Sequence, residues 1–238
     1  EAADGFSRLL SRWPGDPLAL EARFSLGSVY FQTSEFAKAH AAYSKVFEDF
    51  PNHRLAPHAL FNSAVCVRQL GEPAKALAYF QRIRKDYPTH PLADEAALQA
   101  GVLLERTGRL EEALQAYDQA TRLKNPKLAV EALFYHADAL RQLKDYEKAV
   151  TEFNRLTKKY PKEDEWCVTA MAKVAECYEE QGKYESAEKE YRRILKYTGV
   201  KMWRDSALKR LKALEPYLKK AAPSVKTEPT AVEEESQP

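Results

Sequence analysis

The chain has 238 residues, with 45% hydrophobic and 30% charged side chains and only 8 glycines, a composition that argues for a helix-rich fold over a turn-rich β-protein. Lys and Arg number 37 against 35 Asp and Glu, so a net charge of +2 gives no reason to expect a nucleic-acid partner. The longest stretch without a charged side chain, histidine counted neutral, is the 13 residues Leu55 to Val67, which contain Pro57, Asn62 and Ser63 and exclude a membrane span; three cysteines exclude a disulfide framework.

Taken in chain order, Ala2, Phe6, Leu9 and the pair Trp13-Pro14 predict one amphipathic helix over residues 1–14. It is expected to be a half-repeat whose first helix lies upstream in a longer array, or a capping helix. There is no initiator Met, signal-peptide core or lipidation motif, so the expectation is a processed form or a fragment. Five similar units are expected to follow, at about 15–53, 54–90, 91–127, 128–163 and 164–201. Each reads as two helices. In the third, Leu98, Gly101, Val102 and Leu104 keep helical spacing, Thr107-Gly108-Arg109 breaks it, and Leu110, Ala113, Leu114, Tyr117 and Ala120 resume it. Gly71, Gly108 and Gly182 stand at the break, where positive φ ends a helix. Pro73 suits the first turn of a second helix, and Pro17, Pro57 and Pro91 that of a following unit. A capping helix is predicted over 202–221, with an apolar face of Trp203, Ala207, Leu208, Leu211, Leu214 and Leu218. Its other face is basic: Lys201, Arg204, Lys209, Arg210, Lys212, Lys219 and Lys220. Residues 222–238, with one Lys and four Glu and no aromatic, are expected to be a disordered acidic tail.

The units share markers. Aromatic-proline pairs close them at Trp13-Pro14, Phe50-Pro51, Tyr87-Pro88 and Tyr160-Pro161, with Asn125-Pro126 in the matching place, at spacings of 37, 37, 38 and 35. Ala39, Ala76, Ala113, Ala149 and Ala187 recur between them. An aromatic follows four residues later (Tyr43, Phe80, Tyr117, Phe153, Tyr191), and a small residue precedes by twelve (Gly27, Ala64, Gly101, Ala137, Ala175). A small residue facing an aromatic lets paired helices approach closely, and a unit of this kind buries its apolar face only by stacking on neighbours.

This pattern resembles the tetratricopeptide repeat over about residues 1–201. The resemblance implies an all-α, right-handed superhelical solenoid of helix–turn–helix units. The period of 35 to 38 exceeds the usual ~34 residues, and extra residues follow the proline, as in Tyr87-Pro88-Thr89-His90-Pro91. These departures look like bacterial cell-envelope variants of the Tol–Pal-associated coordinator and outer-membrane barrel-assembly lipoprotein type. The implied address is the periplasm or outer-membrane periphery, with the cytoplasm as the alternative. In such arrays the first helix of each unit lines a concave groove. Carried over position by position, the groove-facing set includes Phe24, Phe61, Leu98 and Phe134 as an apolar ladder, followed by Ala172. It continues with Phe31, Arg68, Glu105, Arg141 and Glu179, and with Gln32, Gln69, Arg106, Gln142 and Glu180. The expected partner-binding residues are therefore Phe24, Phe31, Gln32, Phe61, Arg68, Gln69, Leu98, Arg106, Phe134, Arg141 and Gln142. The basic clamp of chaperone-binding relatives is absent, since Glu21, Phe24, His58 and Phe61 occupy its places.

No catalytic, cofactor-binding or metal-ligating residues are expected. His40, His53, His58, His90 and His136 are scattered; His53 and His90 recur two residues after a closing proline, which suggests turn chemistry rather than metal ligation. Cys66 and Cys177 occupy equivalent places and suit buried packing. The expected function is a non-catalytic scaffold that holds a protein or peptide segment in the groove, within a bacterial envelope assembly. The alternative is a structural module that self-associates through its N-terminal edge.

Overall fold

The computed structural model describes residues 2–14, 16, 18–123 and 125–221. The expectations for Pro17 and for the tail 222–238, and the side chain of Lys220, lie outside the described residues. Within them the chain is all-α: α1 (Ala2–Arg12), α2 (Ala19–Gln32), α3 (Phe36–Asp49), α4 (Ala56–Gln69), α5 (Pro73–Asp86), α6 (Pro91–Arg106), α7 (Leu110–Ala120), α8 (Pro126–Gln142), α9 (Tyr146–Lys159), α10 (Asp164–Glu180), α11 (Tyr184–Tyr197) and α12 (Lys201–Ala221). Each helix packs on the next, forming five antiparallel hairpins from α2/α3 to α10/α11, with α1 and α12 at the ends. The hairpins wind into a right-handed superhelical solenoid.

Every hairpin turns through the same backbone device. Ser34, Gly71, Gly108, Lys144 and Gly182, each seven residues after the small marker, have φ of 60, 80, 77, 62 and 70°. The next amide donates back five residues in all five turns: Glu35 to Tyr30, Glu72 to Val67, Arg109 to Leu104, Asp145 to Leu140 and Lys183 to Tyr178, at 2.8–3.1 Å. These are Schellman closures, which satisfy carbonyls that the end of a helix would otherwise leave unpaired. Glycine enters the left-handed region without a Cβ clash and explains three of the turns; Ser34 and Lys144 bear the cost of a side chain there.

Packing inside each hairpin follows from the small-residue and aromatic markers. Tyr43, Phe80, Tyr117, Phe153 and Tyr191 are all buried, as are the five marker alanines. A Cβ on Gly27 would stand 2.8 Å from the Tyr43 ring, and one on Gly101 would stand 2.5 Å from the Tyr117 ring. With the rings as placed a methyl would clash there, so Gly27 and Gly101 serve the close approach of the ring rather than backbone conformation, while Ala64, Ala137 and Ala175 hold the same place in the other units. Burial of such large side chains stabilises each hairpin by about 1.5 to 3 kcal/mol per residue. Between hairpins, the Tyr87 hydroxyl donates to the Pro51 carbonyl (2.8 Å) and the Tyr197 hydroxyl to the Pro161 carbonyl (3.0 Å). The end of one unit is thereby tied to the end of the unit before it.

Two sequence expectations change. Pro126 does not close the third unit: α7 stops at Ala120, and Pro126 is the first residue of α8, capped by the Asn125 side chain, which accepts from the Lys127 amide at 3.1 Å. Proline after asparagine suits a helix start, where its missing N–H removes nothing. In α12, Leu208 is 50% exposed, so it leaves the apolar face, while Ala207 and Leu214 are buried and Trp203, Leu211 and Leu218 are half-buried against the core that α12 shares with the fourth and fifth units. One residue after Ala207 is a turn of about 100° around the helix, which carries Leu208 off the contact stripe.

Candidate partner-binding groove

The first helices of successive units touch one another, α4 with α6, α6 with α8 and α8 with α10, and so form one wall of the solenoid. Because residues three and four apart share a helix face, each first helix presents the same register positions to that wall. The position three before the small marker holds Phe24, Phe61, Leu98 and Phe134. Phe24 and Phe61 are half-buried, set edge-on against Tyr43 (5.3 Å between centroids) and Phe80 (5.5 Å). Leu98 and Phe134 do not form part of an open surface: they are 1% and 9% exposed. Leu98 is enclosed in the main core, and Phe134 is covered by Phe153 and by Trp166, whose rings lie 5.5 and 5.2 Å away.

Phe31 is half-buried on Phe36, and Gln32, Gln69, Arg106 and Gln142 are exposed. Arg141 is held by Asp138 (2.8 Å), and Gln142 bridges Asp138 and the Glu105 carboxylate of the preceding unit (3.1 and 2.7 Å). Glu105 also accepts from the Tyr117 hydroxyl at 2.6 Å; burial first, and this bond second, push that phenol well above its ordinary range. Glu179, the equivalent residue two units on, repeats the arrangement: it accepts from Tyr191 (2.7 Å) and from Arg210 of α12 (2.9 Å). Arg68 reaches to the next unit and donates to Gln99 at 2.7 Å; burial first, and the neighbouring Arg106 second, lower its pKa.

The wall also contains aromatics that the sequence expectations omitted. Tyr135 stacks on Tyr117 (5.7 Å, 27°), and Trp166 lies edge-on to Tyr135 at 6.4 Å. A signal for Trp166 was present: nine residues before each small marker stand Leu18, Leu55, Leu92, Leu128 and Trp166, a recurring apolar position. Tyr135 had none, since its equivalents are Ser25, Asn62, Gln99 and Lys173. Beside it, Glu131 has its carboxyl pKa raised, by burial above all, then by Glu95, against the lowering effect of its bond from Tyr135.

The remaining candidate groups have structural employment. His53 and His90 each accept through Nδ1 from the amide two residues on, Leu55 and Leu92, both at 3.2 Å, which is turn capping. Cys66 and Cys177 are fully buried, with thiols pushed up to about 11 by burial, so neither is a nucleophile near neutral pH. Among the described residues no cluster of His, Cys, Asp or Glu is arranged to hold a metal ion, and no helix is long and apolar enough to cross a membrane.

A stack of helical hairpins with one shared wall defines a repeat solenoid. Tetratricopeptide-repeat family models match residues 1–52 and 98–164, 56–125, and 169–197. The chain belongs to the tetratricopeptide-repeat family, whose fold generally mediates protein–protein interaction. No curated protein matches the sequence. Several solved structures share the architecture. A tetratricopeptide repeat protein from Parabacteroides merdae has 19% identity and a TM-score of 0.60, over 92% of this chain and 81% of its own. The MamA protein has 18% identity and a TM-score of 0.63, over 76% and 93%. YrrB, described as a TPR protein with an unusual peptide-binding site, has 17% identity and a TM-score of 0.61, over 88% and 99%. At these identities the likeness is one of fold.

Proposed function

We propose that the protein is a non-catalytic scaffold that holds an extended or helical protein segment along the wall formed by its first helices. The observation that carries this reading is the repetition, in one register, of accessible apolar and hydrogen-bonding side chains: Phe24, Phe31 and Phe61 beside Gln32, Gln69 and Arg106. Aromatic rings offer contact area at low cost in side-chain entropy, and amide and guanidinium groups bond a peptide backbone or carboxylate. The peptide-binding site named for YrrB supports the reading by analogy of fold. Assignment to a bacterial cell-envelope assembly rests on the long repeat period and the residues inserted after the prolines.

The test is selection of ligands from a random peptide library, followed by affinity measurement with Phe31→Ala/Phe61→Ala/Gln69→Ala. Affinity is expected to fall about tenfold or more, as for loss of anchoring side chains, with helical circular dichroism unchanged. Unaltered affinity in a folded variant would move binding to the opposite face.

A second reading, self-association through the N-terminal edge, draws on one feature. α1 buries none of its residues, and Leu10, Leu26, Tyr30, Ala41 and Ala42 line an open trough of about 430 Å³ beside it.

A further inference from the structure

Net charge is gathered at one end of the solenoid. Residues 1–200 hold 29 Lys and Arg against 29 Asp and Glu, whereas α12 holds seven against two. The two arginines of α12 are used inward: Arg204 donates to the Leu195 and Thr198 carbonyls, and Arg210 to Glu179 and the Tyr191 hydroxyl. Lys201, Lys209, Lys212 and Lys219 are exposed instead. At about 100° per residue, Met202, Lys209, Lys219, Lys212, Lys201 and Leu208 fall within an arc of about 120°, opposite the buried pair Ala207 and Leu214. Asp205 is the one acidic residue inside that arc. Met202, at 68%, is the most exposed large apolar side chain among the described residues, and Leu208 is 50% exposed. A cationic stripe edged by open apolar side chains therefore lies on the outside of a molecule that is otherwise neutral through residue 200.

We infer that this face of α12 docks the solenoid against a bilayer surface rich in anionic lipid. Each lysine held close to such a surface strengthens binding about fivefold. The four lysines are spread along about 27 Å of helix, a footprint for many headgroups rather than for one bound anion. They are compact, strongly hydrated point charges, and the guanidinium groups that would recognise a single phosphate in two-pronged fashion are the ones turned inward. Met202 and Leu208 select a bilayer over a nucleic acid: apolar side chains lose water by entering the headgroup boundary, and a phosphate backbone offers them no such gain. Docking by this face leaves the wall of first helices open. Arg210, the α12 residue that reaches the wall at Glu179, lies about 140° around the helix from the centre of the arc.

The experiment sediments the full chain with phosphatidylcholine vesicles containing about 30% phosphatidylserine, and with vesicles of phosphatidylcholine alone. Binding is expected to the first only, and to be released as salt is raised. Lys209→Gln/Lys212→Gln should weaken it about 25-fold, about fivefold for each lysine. Met202→Ser/Leu208→Ser should weaken it about tenfold without any change of charge. Lys158→Gln/Lys159→Gln removes the same charge from the end of α9 and should change binding less than about twofold, being beyond the screened reach of the surface. Equal binding to both vesicles, binding to neither, or equal losses from the α9 and α12 pairs would each overturn the inference. So would tighter binding to duplex DNA than to anionic vesicles with no loss on Met202→Ser/Leu208→Ser, which would make the face a nucleic-acid site. Every substituted side chain is exposed, and circular dichroism with the denaturation midpoint establishes that each variant is folded. Failure here leaves the groove reading untouched, since no residue of the wall is altered.

Discussion

At the scale of single residues, the five hairpin turns form an internal experiment. The same left-handed position is filled by Gly71, Gly108 and Gly182 in three units, but by Ser34 and Lys144 in the other two, with identical closing hydrogen bonds. A side chain in that conformation costs about 1 to 2 kcal/mol, offset by the smaller entropy that a non-glycine residue loses on folding. Lys144→Gly is therefore expected to stabilise the protein by about 0.5 to 1 kcal/mol, read as a rise in the urea midpoint at unchanged slope. A fall would mean that the aliphatic stem of Lys144 contributes packing that outweighs backbone strain. Glycine was legible as a turn former, because its conformational freedom is a property of the residue itself. That serine and lysine adopt the same φ was not legible; the closure around them decides it.

At the scale of the element, each second helix is held by an alanine and an aromatic one turn apart, facing the small residue of the first helix. Ala113 is fully buried, with Gly101 and Tyr117 among its unit's markers. Ala113→Glu is expected to cost about 2 to 4 kcal/mol, since an unpaired charge is forced into a closed apolar contact. Glu111→Ala, on the exposed side of the same helix, should change stability by less than about 0.5 kcal/mol. Chemical denaturation of both variants makes the comparison; equal effects would mean that α7 is not docked through its alanine face. These elements were readable because burial at fixed spacing leaves a periodic trace in the sequence. The shortness of α7 was not. The Asn125-Pro126 pair sits where other units place a closing aromatic and proline, yet it caps the next helix, and only the hydrogen bond from the Lys127 amide shows which helix it serves.

At the scale of the whole molecule, a solenoid leaves its two ends differently finished. α12 covers the fifth hairpin through Trp203, Ala207, Leu211 and Leu214, and its Arg210 reaches Glu179 on the wall. At the other end α1 buries no residue, and an apolar trough stays open beside it. If that edge joins two copies, light scattering across a concentration series should show a rising mass that Leu10→Glu/Ala42→Glu returns to the monomer. A constant monomer mass in the unaltered protein removes self-association, and the edge is then a solvated end of the array. The wall, by contrast, is built from first helices that touch in succession from α4 through α6 and α8 to α10.

The repeat, its helical character and the places of close helix contact were determined by the sequence alone. Small residues, aromatics and turn formers act through local geometry, and local geometry recurs with the chain. Which side chains of the inner wall stay open was decided by tertiary structure. Leu98 and Phe134 occupy the same register as Phe24 and Phe61, yet they are enclosed, Phe134 because Trp166 of the following unit folds over it. Accessibility depends on what the neighbouring unit places overhead, a quantity that no position carries within its own repeat.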